Sequence, residues 1–312
     1  MPARVWHGVT LGSVAALVLA LGVVVSPATA SARSGVAPGA PGAASDWVTG
    51  DKDGFGTARG TTSKVWYTLN NGELSEIYYP RIDTPSTRDT QLVITDGRTF
   101  TDRESTDTVH QVRLLDPQSL LYQQIDRAKS GKYLITKTYI TDPARSTVLV
   151  DIDFRSLTGD AYQVYVLHDP ALTMTGDDDT GSTHGGALVA TDGTTSDAVI
   201  PSRGFTKTSS GYQGTSDGWT DLATDHQMDW TYTAPQPGNV RANRPDKPER
   251  THRPTALHPR DRFRDDNLRG SVDGTRIAGF GIYRRAAGIR SRMASISRDA
   301  QTGPAIVGAV DD

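Results

Sequence analysis

Apolar and polar residues alternate in short runs along residues 46–240, and turn-forming residues break the runs. "TVLVDIDF" is the plainest case. Val148, Val150, Ile152 and Phe154 fall on one side of an extended chain, and Leu149, Asp151 and Asp153 on the other, because successive side chains of a strand point to opposite faces. The pattern predicts a half-buried strand, with those four residues inside and Asp151 and Asp153 on a solvated face. "KYLITKTYI" before it and "YQVYVLHD" after it read as its neighbours in an antiparallel meander. "KVWYTL" and "ELSEIYYP" flank Asn70-Asn71-Gly72. Asn and Gly accept positive φ at little cost, so this segment predicts a hairpin. "TQLVIT" stops at Asp96-Gly97, and "GALVAT" stops at Asp192-Gly193. No stretch between 46 and 240 carries a convincing helical period. Many short strands separated by turns predict an all-β chain, built as an antiparallel sandwich or barrel.

The two ends differ from this middle. Arg4 precedes the apolar run "LGSVAALVLALGVVV", and Ala28-Thr29-Ala30 supplies an A-x-A site. Together they predict a signal peptide over residues 1–30, cleaved before Ser31, and a secreted, extracellular protein with no membrane association afterwards. The apolar run is shorter than the ~20 residues of a spanning helix. Residues 31–45, "SARSGVAPGAPGAAS", lack any period and read as a flexible leader. The formal net charge of -3 hides an asymmetry: residues 241–312 hold 15 of the 33 Lys+Arg but only 9 of the 36 Asp+Glu. That Arg/Pro-rich tail has few apolar residues and reads as disordered or frame-shifted. A nucleic-acid partner is not expected of an exported chain. The absence of Cys means the fold rests on its core rather than on disulfides.

Few residues suggest chemistry. Asp151 and Asp153 share a face, and paired carboxylates can serve glycoside hydrolysis, but a wet strand face explains them equally. Asp177, Asp178 and Asp179 sit in a Gly-rich loop and are a weak candidate for Ca2+, without the spacing of an EF-hand. No other cofactor is expected, and the seven His residues lack zinc-site spacing. "VWYTLNNGELSEIYYPRIDTPSTRD" is the richest stretch. Its Tyr78, Tyr79, Arg81, Asp83, Arg88 and Asp89 join aromatic faces to fixed polar groups. They form a candidate carbohydrate-binding or domain-docking surface, or else core aromatics with an Arg–Asp network bracing a loop.

The same stretch, with "DGFGTA", "DPALTMTGDDDTG", "SRGFTKTSSGYQGTSDGW" and "YTAPQPGNV", resembles the N-terminal domain of bacterial glucodextranases and glucoamylases of glycoside hydrolase family 15. The resemblance runs from about Asp53 to Val240. It implies a domain over 46–240 folded as an antiparallel β-supersandwich of the galactose-mutarotase-like kind. In that family the sandwich precedes an (α/α)6 barrel, which hydrolyses α-glucosidic bonds with inversion using two Glu residues of its own. Neither Glu can be placed on this chain, so no catalytic residue is assigned. The implied partners are an α-glucan or dextran-type carbohydrate and such a barrel. The implied function is a secreted non-catalytic module that binds carbohydrate or braces the barrel. The alternative is a truncated α-glucosidase, acting on 1,4- or 1,6-linkages. The resemblance stops after "GNV", where the text turns Arg- and Pro-rich, as a G+C-rich gene does when read out of frame.

Overall fold

The computed structural model describes residues 32–184, 186–202, 204–245 and 276–284. The signal-peptide assignment falls on residues outside these. Among the described residues the chain is overwhelmingly strand, in two sheets. In spatial order the first sheet is β1 (Arg33–Val36), β16 (Trp230–Gly238), β12 (Asp179–His184), β13 (Ala187–Thr191), β14 (Thr195–Val199), β18 (Arg276–Arg284), β10 (Thr147–Ser156), β9 (Tyr133–Asp142), β8 (Leu121–Ala128) and β7 (Thr108–Asp116). The second is β15 (Ser209–Tyr212), β17 (Val240–Pro245), β11 (Gln163–Pro170), β5 (Pro85–Thr95), β4 (Glu73–Tyr78), β3 (Trp66–Asn70) and β2 (Gly54–Thr57), with β6 (Thr101–Arg103) paired to β5. The expected all-β sandwich is therefore present.

The sheets enclose one large apolar core. Leu74, Ile77, Leu92 and Ile94 from the second sheet meet Ile135, Val148, Val150 and Ile152 from the first. Each such side chain, fully buried, contributes about 1.5–3 kcal/mol. Aromatic rings close one end of the core: Tyr133 stacks on Phe154 at 5.6 Å, and Tyr162 meets Phe100 edge-on at 5.6 Å. The hairpin between β3 and β4 turns at Asn71 and Gly72, with φ of 49° and 82°, the left-handed pair that suits strand twist.

Several expectations need correction. β9 and β10 pair antiparallel, but β11 leaves them and joins the other sheet between β5 and β17. Its two faces explain the move. Val164 and Val166 enter the main core, while Tyr165 and Leu167 pack with Val93 on the opposite side. A strand apolar on both faces belongs where both are covered. On β10 the four alternating residues do turn inward, but Leu149 and Asp151 are buried too, so that side is not a wet face.

Residues 31–45 are not simply a flexible leader. Arg33–Val36 pairs parallel with β16, and Ala37 N donates to Thr233 O at 2.8 Å. Backbone pairing at a sheet edge needs no hydrophobic period, which is why composition misses it. Two short α-helices also appear, α1 being Glu104–Asp107 and α2 Gly218–Asp225. α2 is only two turns long, too short for a period to show. Asp217 caps it, its Oδ1 accepting from Thr220 N at 2.7 Å. Finally, β17 runs past Val240, and a further strand lies at 276–284, parallel to β10 and β14. The boundary at Val240 therefore cuts through a strand. Residues 246–275 and 285–312 lie outside the described set.

Candidate functional site

The outer face of the second sheet positions the site. Alternation along β5 puts Asp89, Gln91 and Val93 on that face, and the register pairs them with Asp169, Leu167 and Tyr165 of β11. α2 and Met228 cover the Val93 end. At the other end the face is open, and a polar cleft of ≈ 640 Å³ lies over it. Asn70 and Glu73, paired across the β3–β4 hairpin, form part of its floor. Arg241 of β17 forms the far side. Residues 46–49 supply a wall, with Asp51 and Asp53 beyond them and His110 Nε2 3.9 Å from Asp53 Oδ2.

A bulge creates the centre of this arrangement. Asp89 lies opposite Asp169, yet Thr87 lies opposite Pro170, so Arg88 is an extra residue in β5. The bulge brings Arg88 to the side of Asp89 instead of the core side. Arg88 then donates to Asp46 Oδ1 at 2.7 Å and to Asp46 Oδ2 at 3.1 Å, and pairs with Asp89. Asp89 Oδ1 accepts from Gln91 at 3.1 Å, and Ser105 donates to the other end of Gln91 at 2.8 Å. Arg241 Nε donates to Asp169 Oδ2 at 3.0 Å, and its Nη2 lies 3.7 Å from Asp89. Opposite Arg241 stands Gly211, where a Cβ would lie 1.9 Å from Ser216 O. Only glycine lets that loop close.

The electrostatics follow from burial. Burial opposes the charge of Arg88, but Asp46, Asp89 and Asp169 outweigh it and hold its pKa above the usual arginine range. Arg241 is raised in the same way, by Asp169 and Asp89. Asp169 is pushed up to about 6 by burial, with Arg241 opposing and Asp89 reinforcing. Glu73, 5% exposed, is pushed up to about 9, first by burial and then by the charge of Asp89. The shift favours its neutral, protonated form. The lining balances Asp46, Asp51 and Asp53 against Arg88, Arg103 and Arg241. Arg103 lies 4.3 Å over the ring of Trp219, which ties the cleft to α2.

The residues singled out by sequence do not form one surface. Tyr79 belongs to the core at 7% exposure. Tyr78 is half-buried at the strand end, where burial and then Glu76 raise its pKa. Arg81 and Asp83 pair with each other on an exposed turn, Nε to Oδ1 at 3.0 Å and Nη2 to Oδ2 at 2.6 Å. Only Arg88 of the six lines the cleft, with Asp89 buried beside it. Glu73, Asn70 and Arg241 went unnoticed, although Glu73 follows the Asn-Gly turn directly. The three loop aspartates also diverge. Asp177 Oδ1 accepts from Ser45 N at 2.9 Å, Asp178 from Thr175, and buried Asp179 from Leu172 N at 3.1 Å. Asp179 is pushed up to about 8 by burial. Three carboxylates turned to three partners do not converge on one cation.

Comparison with known proteins bears on the whole second sheet and its cleft. The family model "Glucodextranase, domain N" matches residues 37–253, a span that includes β17 and Arg241. A glucoamylase of Clostridium sp. (strain G0005) is 34% identical over 206 residues, 64% of this chain. The crystal structure of a bacterial glucoamylase complexed with acarbose superposes with a TM-score of 0.60 and 29% identity over 68% of this chain. The chain covers 29% of the first relative and 32% of the second. With its two-sheet architecture and a model match over most of its length, the chain belongs to the glucodextranase domain N family.

Proposed function

We propose that this chain is a secreted, non-catalytic, carbohydrate-associated module of a glucoamylase-like α-glucan hydrolase. It holds carbohydrate beside a catalytic (α/α)6 barrel or braces that barrel. The relatives support the carbohydrate association: one is a glucoamylase, and the other is seen with acarbose. The state of Asp89 supports the absence of catalysis. Glycoside hydrolysis needs an acid that protonates the leaving oxygen and a free carboxylate that attacks or activates water. Burial favours the protonated form of Glu73, but neighbouring Asp89 is fully buried, with Oδ1 accepting from Gln91 and Oδ2 paired with Arg88. The test is glucose release from soluble starch and dextran by the purified full chain. The expected result equals the buffer blank. Release that is lost on substitution of Glu73 would overturn the reading.

A further inference from the structure

We propose that the cleft on the outer face of the second sheet is a binding site for a neutral oligosaccharide, with Glu73 hydrogen-bonding sugar hydroxyls from the floor and Trp47 offering a ring face at the rim. This rests on the carbohydrate reading above and gives it a place.

The size fits a short chain of sugar rings rather than a single ion. At ≈ 640 Å³ the cleft lies inside the range of about 300–1,000 Å³ typical of small-molecule sites. The charge points to a neutral ligand. An anion would meet Asp46, Asp51 and Asp53, and a cation would meet Arg88, Arg103 and Arg241. Side chains already engaged hold the walls in place. Asn70 Nδ2 donates to Thr49 O and Thr49 Oγ1, both at 3.2 Å, and Asn71 N donates to Asp53 Oδ2 at 3.2 Å. A pre-ordered wall lowers the entropy cost of binding.

Glu73 is the observation that points to a ligand. It is 5% exposed and lines the cleft, yet its carboxyl makes no hydrogen bond or ion pair among the described residues. Its carboxyl oxygens are not sealed inside the protein, so their hydrogen-bond partner must come from the cleft, as water or as a ligand. The neutral acid both donates and accepts, as a sugar hydroxyl does, so the two groups can satisfy each other without burying a charge. Trp47, 38% exposed at the same cleft, adds an apolar ring for the C–H face of a sugar.

Titrating maltotriose and isomaltotriose into the full chain, followed by NMR shifts of the tryptophan indole N–H groups and by calorimetry, tests this. Glu73→Gln keeps both a donor and an acceptor and should bind within about twofold of the wild type. Glu73→Ala should weaken binding about tenfold or more, the equivalent of one lost hydrogen-bonding group. Trp47→Ala lies at the surface, so it should weaken binding while leaving the thermal midpoint unchanged. Wild-type affinity in both alanine variants would overturn the proposal. Saturable binding by calorimetry with every alanine variant at wild-type affinity and the Trp47 indole unshifted would overturn the cleft and leave the carbohydrate reading standing. No saturable binding of either sugar would also overturn the cleft, and glucose release then decides the non-catalytic reading separately.

Discussion

His168 Nε2 lies 2.9 Å from Asp197 Oδ2, and this contact joins β11 of one sheet to β14 of the other through the interior. Thr90 Oγ1 sits 2.8 Å from the ring's Nδ1, and Thr87 donates to the same Asp197 oxygen at 3.2 Å. Burial opposes the imidazolium, but Asp197, then Asp169 and Asp89, outweigh it and hold the pKa above the ordinary histidine value. A raised folded-state pKa stabilises the fold fully below the unfolded value of about 6.5. That stabilisation is lost as pH climbs through the higher folded value. The thermal midpoint should therefore fall as pH rises above about 6.5, and Asp197→Asn should flatten that part of the profile. An identical slope in Asp197→Asn would contradict the assignment.

Lys137 provides a second interior tie. Its Nζ donates to Glu104 Oε2 at 2.8 Å and to the hairpin carbonyl Gly72 O at 2.9 Å, with Asp126 at 3.6 Å. Lys137→Met would leave Glu104 and Asp126 buried without their cation. The expected cost is about 3–5 kcal/mol, the usual result of breaking a buried pair from one side, read as a lower urea midpoint. Arg81→Ala is the comparison. Its partner Asp83 is solvent-exposed, so the midpoint should not move.

Arg241 tests whether the chain beyond Val240 belongs to the fold. It faces Asp169 and Asp89, two carboxylates directly opposite each other on neighbouring strands. Arg241→Met should cost about 3–5 kcal/mol by stranding Asp169, while Asp89 keeps Arg88. Arg241→Lys should fall between, because an ammonium cannot donate as a planar fork. An unchanged urea midpoint for Arg241→Met would show that this segment does not hold the sheet.

The period-two signal was readable wherever one face of a strand meets the core. Val148, Val150 and Ile152 turn inward as their alternation implies, and Asn71-Gly72 makes the turn its residues require. The partner of each strand was not readable. Nothing local in "YQVYVLHD" says that β11 pairs with β5, some seventy residues earlier in the chain. The cleft escaped for a related reason. Arg241, Arg88 and Glu73 come from three strands, and a bulge at Arg88 decides which way that side chain points. Arg241 also sits at the start of a basic, Pro-rich text, and the composition there hides a residue that folds back onto a buried acid.

The most direct measurement of the carbohydrate-associated, non-catalytic role is native electrophoresis of the full chain through gels cast with and without soluble starch or dextran, with glucose assayed in the same lanes. The account predicts slower migration in at least one polymer gel relative to a non-binding reference protein, with no glucose formed. Equal migration in all gels would contradict the carbohydrate association, and glucose above the reference lane would contradict the non-catalytic role.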